Sequence, residues 1–466
     1  MDVAKESGDG ETAAQGPAKE PPSTTENEEN DEAPEHAQES DAATEKLRKA
    51  KEPPSPIEND EAPEHAQESD AATEKLRASL ESAIEAGEPV FLPSGSTYAA
   101  FPLETYLGYG LMNQCDGGAC RVSLPRPGGG DARVFDGAAS SQRHVSMPLA
   151  TFLAVAVARD ADADPDAAAV ARTVPGFDDA DAHDDLYACQ LALAGSGAPA
   201  APLREALAAG ALACVPAWAA AARAAAEAAL DGGEGDASLH AWLGASRGRG
   251  TTTAAHYDGY QNFMCVLSGR KTVELWPPGE RALCASAPAW EHHARAAPPA
   301  PAAVFDVGPG DAAFWPEGWW HRVTSAPRTR AVNVWWRGAR HALVSLPAPL
   351  APFALRTLAH RCAEAHLKTV VDAARGKRRR VEGVDPLLPA GRVRAAAAAL
   401  GEAAWRDAVA RFDDETCYLV GELHDDLDVF FPGPDAADAR AAFDARKDRY
   451  AADALAAVVR DITGTS

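Results

Sequence analysis

The stretch Gly250–Lys271, GTTTAAHYDGYQNFMCVLSGRK, decides how the rest of the chain is read, together with Gly310–His321, GDAAFWPEGWWH. His256 and Asp258 stand two apart, so on a β-strand both side chains leave the same face and can reach one ion. His321 follows His256 by 65 residues and supplies a third ligand. Two neutral imidazoles and one carboxylate suit Fe(II), and a three-ligand site leaves octahedral positions open for a cosubstrate and O2. An H-x-D pair alone is weak, because most histidines are solvated or satisfied in a core. The two spaced motifs together carry the metal reading.

Working outward, residues 239–346 hold short β-rich runs: HAWLGA, TTTAAHYD, NFMCVL, KTVELWP, AVFDV, AAFWP, WHRVTS and AVNVWWR. Turn signals such as Ser268-Gly269 and Gly308-Pro309-Gly310 separate many of them, and strands at this spacing predict an all-β sandwich or barrel. Pro316 and Gly318 shape the turn that aims His321 inward. Lys271 opens the apolar run TVELW. It either points inward, where a buried ammonium needs an anionic partner such as the distal carboxylate of 2-oxoglutarate, or lies on the outer face beside Arg270. Thr253 could add a hydroxyl to the same carboxylate, and Asn262 could bond the cosubstrate or a ligand. The doublet His292-His293 has no motif context and reads as a loop.

Upstream, EPVFLP from Glu88 is a short strand, and residues 97–134 read as strands and loops, with a Gly-rich RPGGGD at 126–131. Met147–Ala158 is a predicted helix, followed by an Asp-rich surface loop. Leu186–Leu193 is an ordered segment, and Pro202–Leu230 is Ala-rich and helical with a break at Pro216. After Pro352, Leu355, Leu358, Cys362, Val370, Val371 and Ala374 recur at helical steps. The basic cluster Lys377–Arg380 interrupts them and reads as a nuclear signal or a solvated loop.

Residues 1–88 carry 25 Asp+Glu against 8 Lys+Arg, which is −17 of the chain's formal −25. Without aromatics, this segment buries too little apolar surface to offset chain entropy, so it is expected to be a disordered acidic tail. It contains a direct repeat: Glu29–Arg48 and Glu58–Arg77 are identical, a duplicated linker rather than a solenoid. The acidity disfavours nucleic acid and membrane surfaces as partners. MDVAKESGDG lacks the segments of a secretory signal, and no apolar run is long enough to span a bilayer, so an intracellular protein of cytoplasm or nucleus is expected. The eight cysteines lack C-x-x-C pairs, which fits reduced thiols.

The spacing G-x5-H-x-D-x3-N-x6-G from Gly250, with G-x5-P-x-G-x2-H from Gly310, resembles the two metal motifs of the cupin superfamily. There the second ligand is often His and the position of Asn262 often a ligating Glu, so Asp258 and Asn262 turn a four-ligand site into a three-ligand one. TTTAAHYDGYQNFMCVLSGRKTVELWPP further resembles the corresponding segment of the JmjC-domain hydroxylases of the cupin-like 8 group, similar to the asparaginyl hydroxylase of hypoxia-inducible factor. VGPGDAAFWPEGWWHRV, AVNVWWR and, more loosely, EPVFLPSG, YACQ and PLREALAAGALACVP extend the resemblance over residues 88–346.

The resemblance implies a mainly β double-stranded β-helix, the cupin or jelly-roll fold, with helical additions. The catalytic domain would be 89–346, followed by a C-terminal helical region at 347–466. It also implies Fe(II) on His256, Asp258 and His321, and 2-oxoglutarate held by Lys271 with help from Thr253, while Asn262, Asn333 and Tyr187 line the cosubstrate pocket. The implied activity is hydroxylation of a protein side chain with O2 and 2-oxoglutarate. Alternatives are a tRNA-base hydroxylase of the same family, or a catalytically silent cupin that binds a protein partner. Tyr257, Tyr260, Trp319, Trp320, Trp335 and Trp336 flank the motifs, most of them as core. The C-terminal helices would form a homodimer interface or cap the barrel.

Overall fold

The computed structural model describes residues 70–338, apart from 94–102, 113–117, 126–133, 136–141, 175–176, 178–184, 196–201, 233–236, 247, 249, 285, 287–291 and 295, together with Phe353. The first copy of the repeat, the Gly-rich 126–131 and, Phe353 aside, the expected C-terminal helical region with Lys377–Arg380 lie outside the described residues.

Two sheets form the body of the fold. The larger has the order β1 (Val90–Leu92), β12 (Ala312–Trp315), β9 (Gln261–Ser268), β14 (Arg330–Trp336), β6 (Ala237–Ala245), β5 (Leu186–Ala194), β2 (Ala119–Pro125) and β4 (Gln142–Pro148). The smaller runs β11 (Ala303–Val307), β10 (Lys271–Trp276), β13 (Trp320–Ser325), β7 (Thr251–Thr253) and β3 (Val134–Phe135), with β8 (His256–Tyr257) also on β13. Pairing is antiparallel except for the short β3–β7 contact. This is the expected mainly β cupin or jelly-roll fold.

The side-chain alternation of each strand divides the core. On β9, Met264 and Val266 meet Val273, Leu275, Ala313 and Trp315 between the sheets. Phe263, Cys265 and Leu267 point to the opposite face, where helices cover them. That double coverage explains why β9 reads as a nearly unbroken apolar run. The covering layer includes α1 (Asp70–Ala86), α2 (Leu103–Met112), α3 (Leu149–Asp160), α4 (Asp164–Ala171), α5 (Pro202–Ala213) and α6 (Ala220–Leu230).

Three expectations need correction. Helix α1 lies inside the stretch expected to be disordered: its Leu76, Leu80, Ala83 and Ile84 recur at helical spacing and pack on the core, which composition averaged over the acidic tail conceals. Residues 97–134 include helix α2, whose Leu103 and Leu107 are buried one turn apart. The Asp-rich loop contains helix α4, where Asp164 and Asp166 fall in the first turn and favour the helix dipole. Among the described residues, no helix is long and apolar enough to cross a membrane.

Candidate functional site

Strands β8 and β13 pair so that His256 lies directly across from His321, with ring centroids 4.1 Å apart. Asp258 follows β8 immediately, and its backbone oxygen accepts a hydrogen bond from Gly318 N–H at 2.8 Å. The turn before His321 is thus tied to the segment carrying the other two residues. One potential ligand atom from each of His256, Asp258 and His321 lies within 4.8 Å of the others.

The turn itself needs glycine. Gly318 has φ +87°, and a Cβ there would come within 2.6 Å of the Phe353 ring. Gly318→Ala is therefore expected to cost about 1–2 kcal/mol, from left-handed backbone and the ring contact, and to lower the thermal midpoint by a few degrees. A midpoint equal to wild type in scanning calorimetry would refute this.

The imidazoles are preset. His256 Nδ1 lies 2.8 Å from Ala254 O and His321 Nδ1 3.0 Å from Trp319 O. A carbonyl can only accept, so each Nδ1 carries the proton and each Nε2 is left with its lone pair. Burial, reinforced by the neighbouring His321, pushes His256 down to about 4, so it is neutral at physiological pH. Burial alone would raise the Asp258 carboxyl, but His321, His256 and His293 around it outweigh burial and pull it down to about 2.

A fit to a metal follows from the donors themselves. Asp258 Oδ2 is sealed from solvent without a hydrogen-bond partner and lies 3.3 Å from His321 Nε2. A lone pair and a carboxylate oxygen converging this closely need a cation or a proton between them. Two neutral nitrogens and one carboxylate are the donor set that suits Fe(II).

Lys271 points inward. On β10 the alternation buries Lys271, Val273 and Leu275, while Arg270 pairs with Asp306 at 2.8 Å on the outside. Lys271 is 3 % exposed. Its Nζ lies 3.4 Å from the Tyr187 hydroxyl and 5.2 Å from the Trp242 ring centroid. Among the described residues no carboxylate pairs with it, and burial pushes it down to about 7. A buried ammonium lacking a counter-ion fits a carboxylate ligand such as that of 2-oxoglutarate.

The other expected residues divide. Tyr187 contacts Lys271 as described. Asn333 Nδ2 donates to Asn262 Oδ1 at 2.6 Å, both side chains being buried. Thr253 Oγ1 accepts from Val323 N–H at 2.9 Å, joining β7 to β13, which leaves its O–H as a donor. Trp319, Trp320 and Tyr257 are core, whereas Tyr260 stacks on Trp335 with centroids 5.9 Å apart.

Sequence reading missed several neighbours. His293 stacks on His256 with centroids 5.1 Å apart and bridges its strand, so the doublet read as a loop borders the candidate ligands. His240 packs against Trp335 at 4.6 Å. Trp242 and Cys189 border the Lys271 pocket. No spacing rule links these residues to the motifs. The alternation of β5 and β6 toward the interior could have marked Cys189, His240 and Trp242, but not His293.

Residues 118–341, just under half of the chain, match the Cupin-like domain family. The lysine-specific demethylase JMJ31 of Arabidopsis thaliana is 34% identical over 122 residues, covering 22% of this chain. The match spans about a fifth, 21%, of that relative's own length. Among solved structures, the ribosomal oxygenase YcfD of Escherichia coli in complex with cobalt and 2-oxoglutarate is 12% identical, with 64% of this chain and 57% of that one covered and a TM-score of 0.27. DMSP lyase structures (RdDddP and RnDddQII) are 21% identical over 22% of this chain and 39% of theirs, with a TM-score of 0.15. At such TM-scores these likenesses carry no weight for function.

Proposed function

We propose that this chain is an Fe(II)- and 2-oxoglutarate-dependent dioxygenase that hydroxylates a protein side chain. His256, Asp258 and His321 would hold the metal, and Lys271 with Tyr187 would take the distal carboxylate of 2-oxoglutarate. The observation that carries this reading is the pairing of two features in one interior. Histidine nitrogens are left as lone pairs beside a half-buried carboxylate whose Oδ2 is sealed from solvent, and nearby stands the buried Lys271, which no carboxylate pairs among the described residues.

When bound, the metal and 2-oxoglutarate supply the oxidation of a C–H bond by O2, with release of succinate and CO2. The chain's residues hold and orient. Ala254 O and Trp319 O fix the two imidazole tautomers. Lys271 would neutralise the distal carboxylate, and Tyr187 would donate its hydroxyl to the same group. The buried apolar cluster of Val273, Leu275 and Trp315 would keep bulk water out. A demethylase reading draws support from the name of the Arabidopsis relative: hydroxylation of an N-methyl carbon releases that carbon, so the same chemistry serves both outcomes.

Adding Fe(II) and then 2-oxoglutarate without oxygen to the full chain tests the reading. A visible metal-to-ligand charge-transfer band is expected. A folded, Fe-loaded protein without that band would overturn the oxygenase reading and favour a catalytically silent cupin that binds a protein partner.

A further inference from the structure

A band of polar side chains crosses the inner face of the larger sheet beside the metal ligands. Asn262 on β9, Asn333 on β14 and His240 on β6 are 2 %, 3 % and 6 % exposed. Asn333 donates its amide N–H to Asn262 Oδ1, which turns Asn333 Oδ1 away from Asn262. Asn333 stands directly across the ladder from His240. Asn333 Oδ1 and His240 Nδ1 are both sealed from solvent and both lack a hydrogen-bond partner. Buried polar atoms in native proteins are seldom left this way. A hydrogen bond from Nδ1–H to Oδ1 would satisfy both, and a neutral imidazole would then keep its lone pair on Nε2.

We propose that Asn262 and Asn333 hold His240 in the Nδ1–H tautomer, so that His240 Nε2 accepts a hydrogen bond from an N–H or O–H group of the substrate beside the metal. This rests on the oxygenase reading above. Position favours the substrate as the donor. His240 and Trp242 lie two apart on β6, and Trp242 is the residue beside Lys271, which places the cosubstrate's distal end there. His240 instead packs on Trp335, and Trp335 stacks on the half-buried Tyr260, a route of rings from the outside. Chemistry agrees, since the carboxylates and keto group of 2-oxoglutarate are acceptors and cannot pair with an accepting nitrogen. A purely aliphatic target would leave Nε2 unsatisfied. The target side chain therefore carries a donor, as a carboxamide, guanidinium or hydroxyl does.

Two measurements test this. In the full chain labelled with 15N-histidine and loaded with Zn(II) and 2-oxoglutarate, two-bond 1H–15N correlation should show His240 protonated on Nδ1. Asn333→Ala should release it to a tautomer mixture. A wild-type His240 protonated on Nε2 overturns the relay whatever the activity. The second uses Fe(II)-loaded protein and peptides with central Asn, Gln, Arg, Ser, Leu or Val, scored for one added oxygen by mass. Donor-bearing peptides should be oxidised, and His240→Phe, which keeps the ring stack, should slow them by about tenfold or more while 2-oxoglutarate still binds. Oxidation of Leu or Val peptides as fast as donor-bearing ones overturns the substrate assignment. Oxidation of none by the wild type counts against the oxygenase reading itself, and the tautomer result stands apart from it.

Discussion

Replacing His321 by alanine is expected to abolish the Fe(II)–2-oxoglutarate absorption band and all turnover. Loss of a residue that merely supports a metal ligand costs about 10–100-fold in metal affinity, and loss of a ligand itself costs more. The effect is sharpened by the surroundings. His321 is buried, so no bulk water replaces it readily, and Asp258 Oδ2 loses the neighbour 3.3 Å away. Anaerobic titration with Fe(II), followed by absorbance and by calorimetry, checks this. Wild-type metal affinity in His321→Ala would remove His321 from the ligand set. His256→Ala should behave alike, since the two imidazoles are held by equivalent carbonyl contacts.

Lys271→Ala should leave metal binding intact and weaken 2-oxoglutarate by about two orders of magnitude or more, the scale of an uncompensated buried charge pair. A pH signature accompanies it. Burial depresses the Lys271 pKa to about 7, whereas a bound carboxylate requires the ammonium. Above about pH 7 binding must therefore take up a proton, and affinity should fall about tenfold per pH unit, while below that pH the lysine imposes no slope. The same depression acts on stability. The unfolded lysine stays protonated to higher pH than the folded one, so without cosubstrate stability should rise with pH from about 7 toward the unfolded lysine's value, and gain nothing further above it. Isothermal titrations across this range, repeated with Lys271→Met, decide the matter. A slope that survives in the methionine variant would place the proton elsewhere.

Much of this was legible because period-two alternation and turn chemistry act locally. H-x-D on a strand places two side chains on one face whatever surrounds them, and P-x-G before His321 reports a left-handed turn that the backbone of Gly318 adopts. The open alternative at Lys271 was settled by register: Lys271 faces Ser325 on β13 and Val307 on β11, with its side chain on the interior side. Thr253 shows the opposite case. Its spacing from His256 suggested a hydroxyl for the cosubstrate carboxylate, and its oxygen also accepts from Val323 N–H on the neighbouring strand, a non-local contact that no spacing encodes. His240 and His293 were invisible for the same reason, one reaching the site through sheet order and the other through a loop that folds back on His256. Helix α1 was hidden by composition, since a few well-spaced apolar residues order it inside an acidic tail.

The hydrogen bond from Gly318 N–H to Asp258 O has a thermodynamic consequence. Because it joins the turn before His321 to the segment of the other two residues through main chain alone, the three donors keep their spacing without an ion to gather them. Ion uptake then demands little ordering of the polypeptide and releases little configurational freedom when reversed. Stripping with a chelator should leave circular dichroism and amide exchange around β8 and β13 nearly unaltered. Different divalent ions should then exchange through one fixed cradle at rates governed by their own hydration rather than by refolding of the protein.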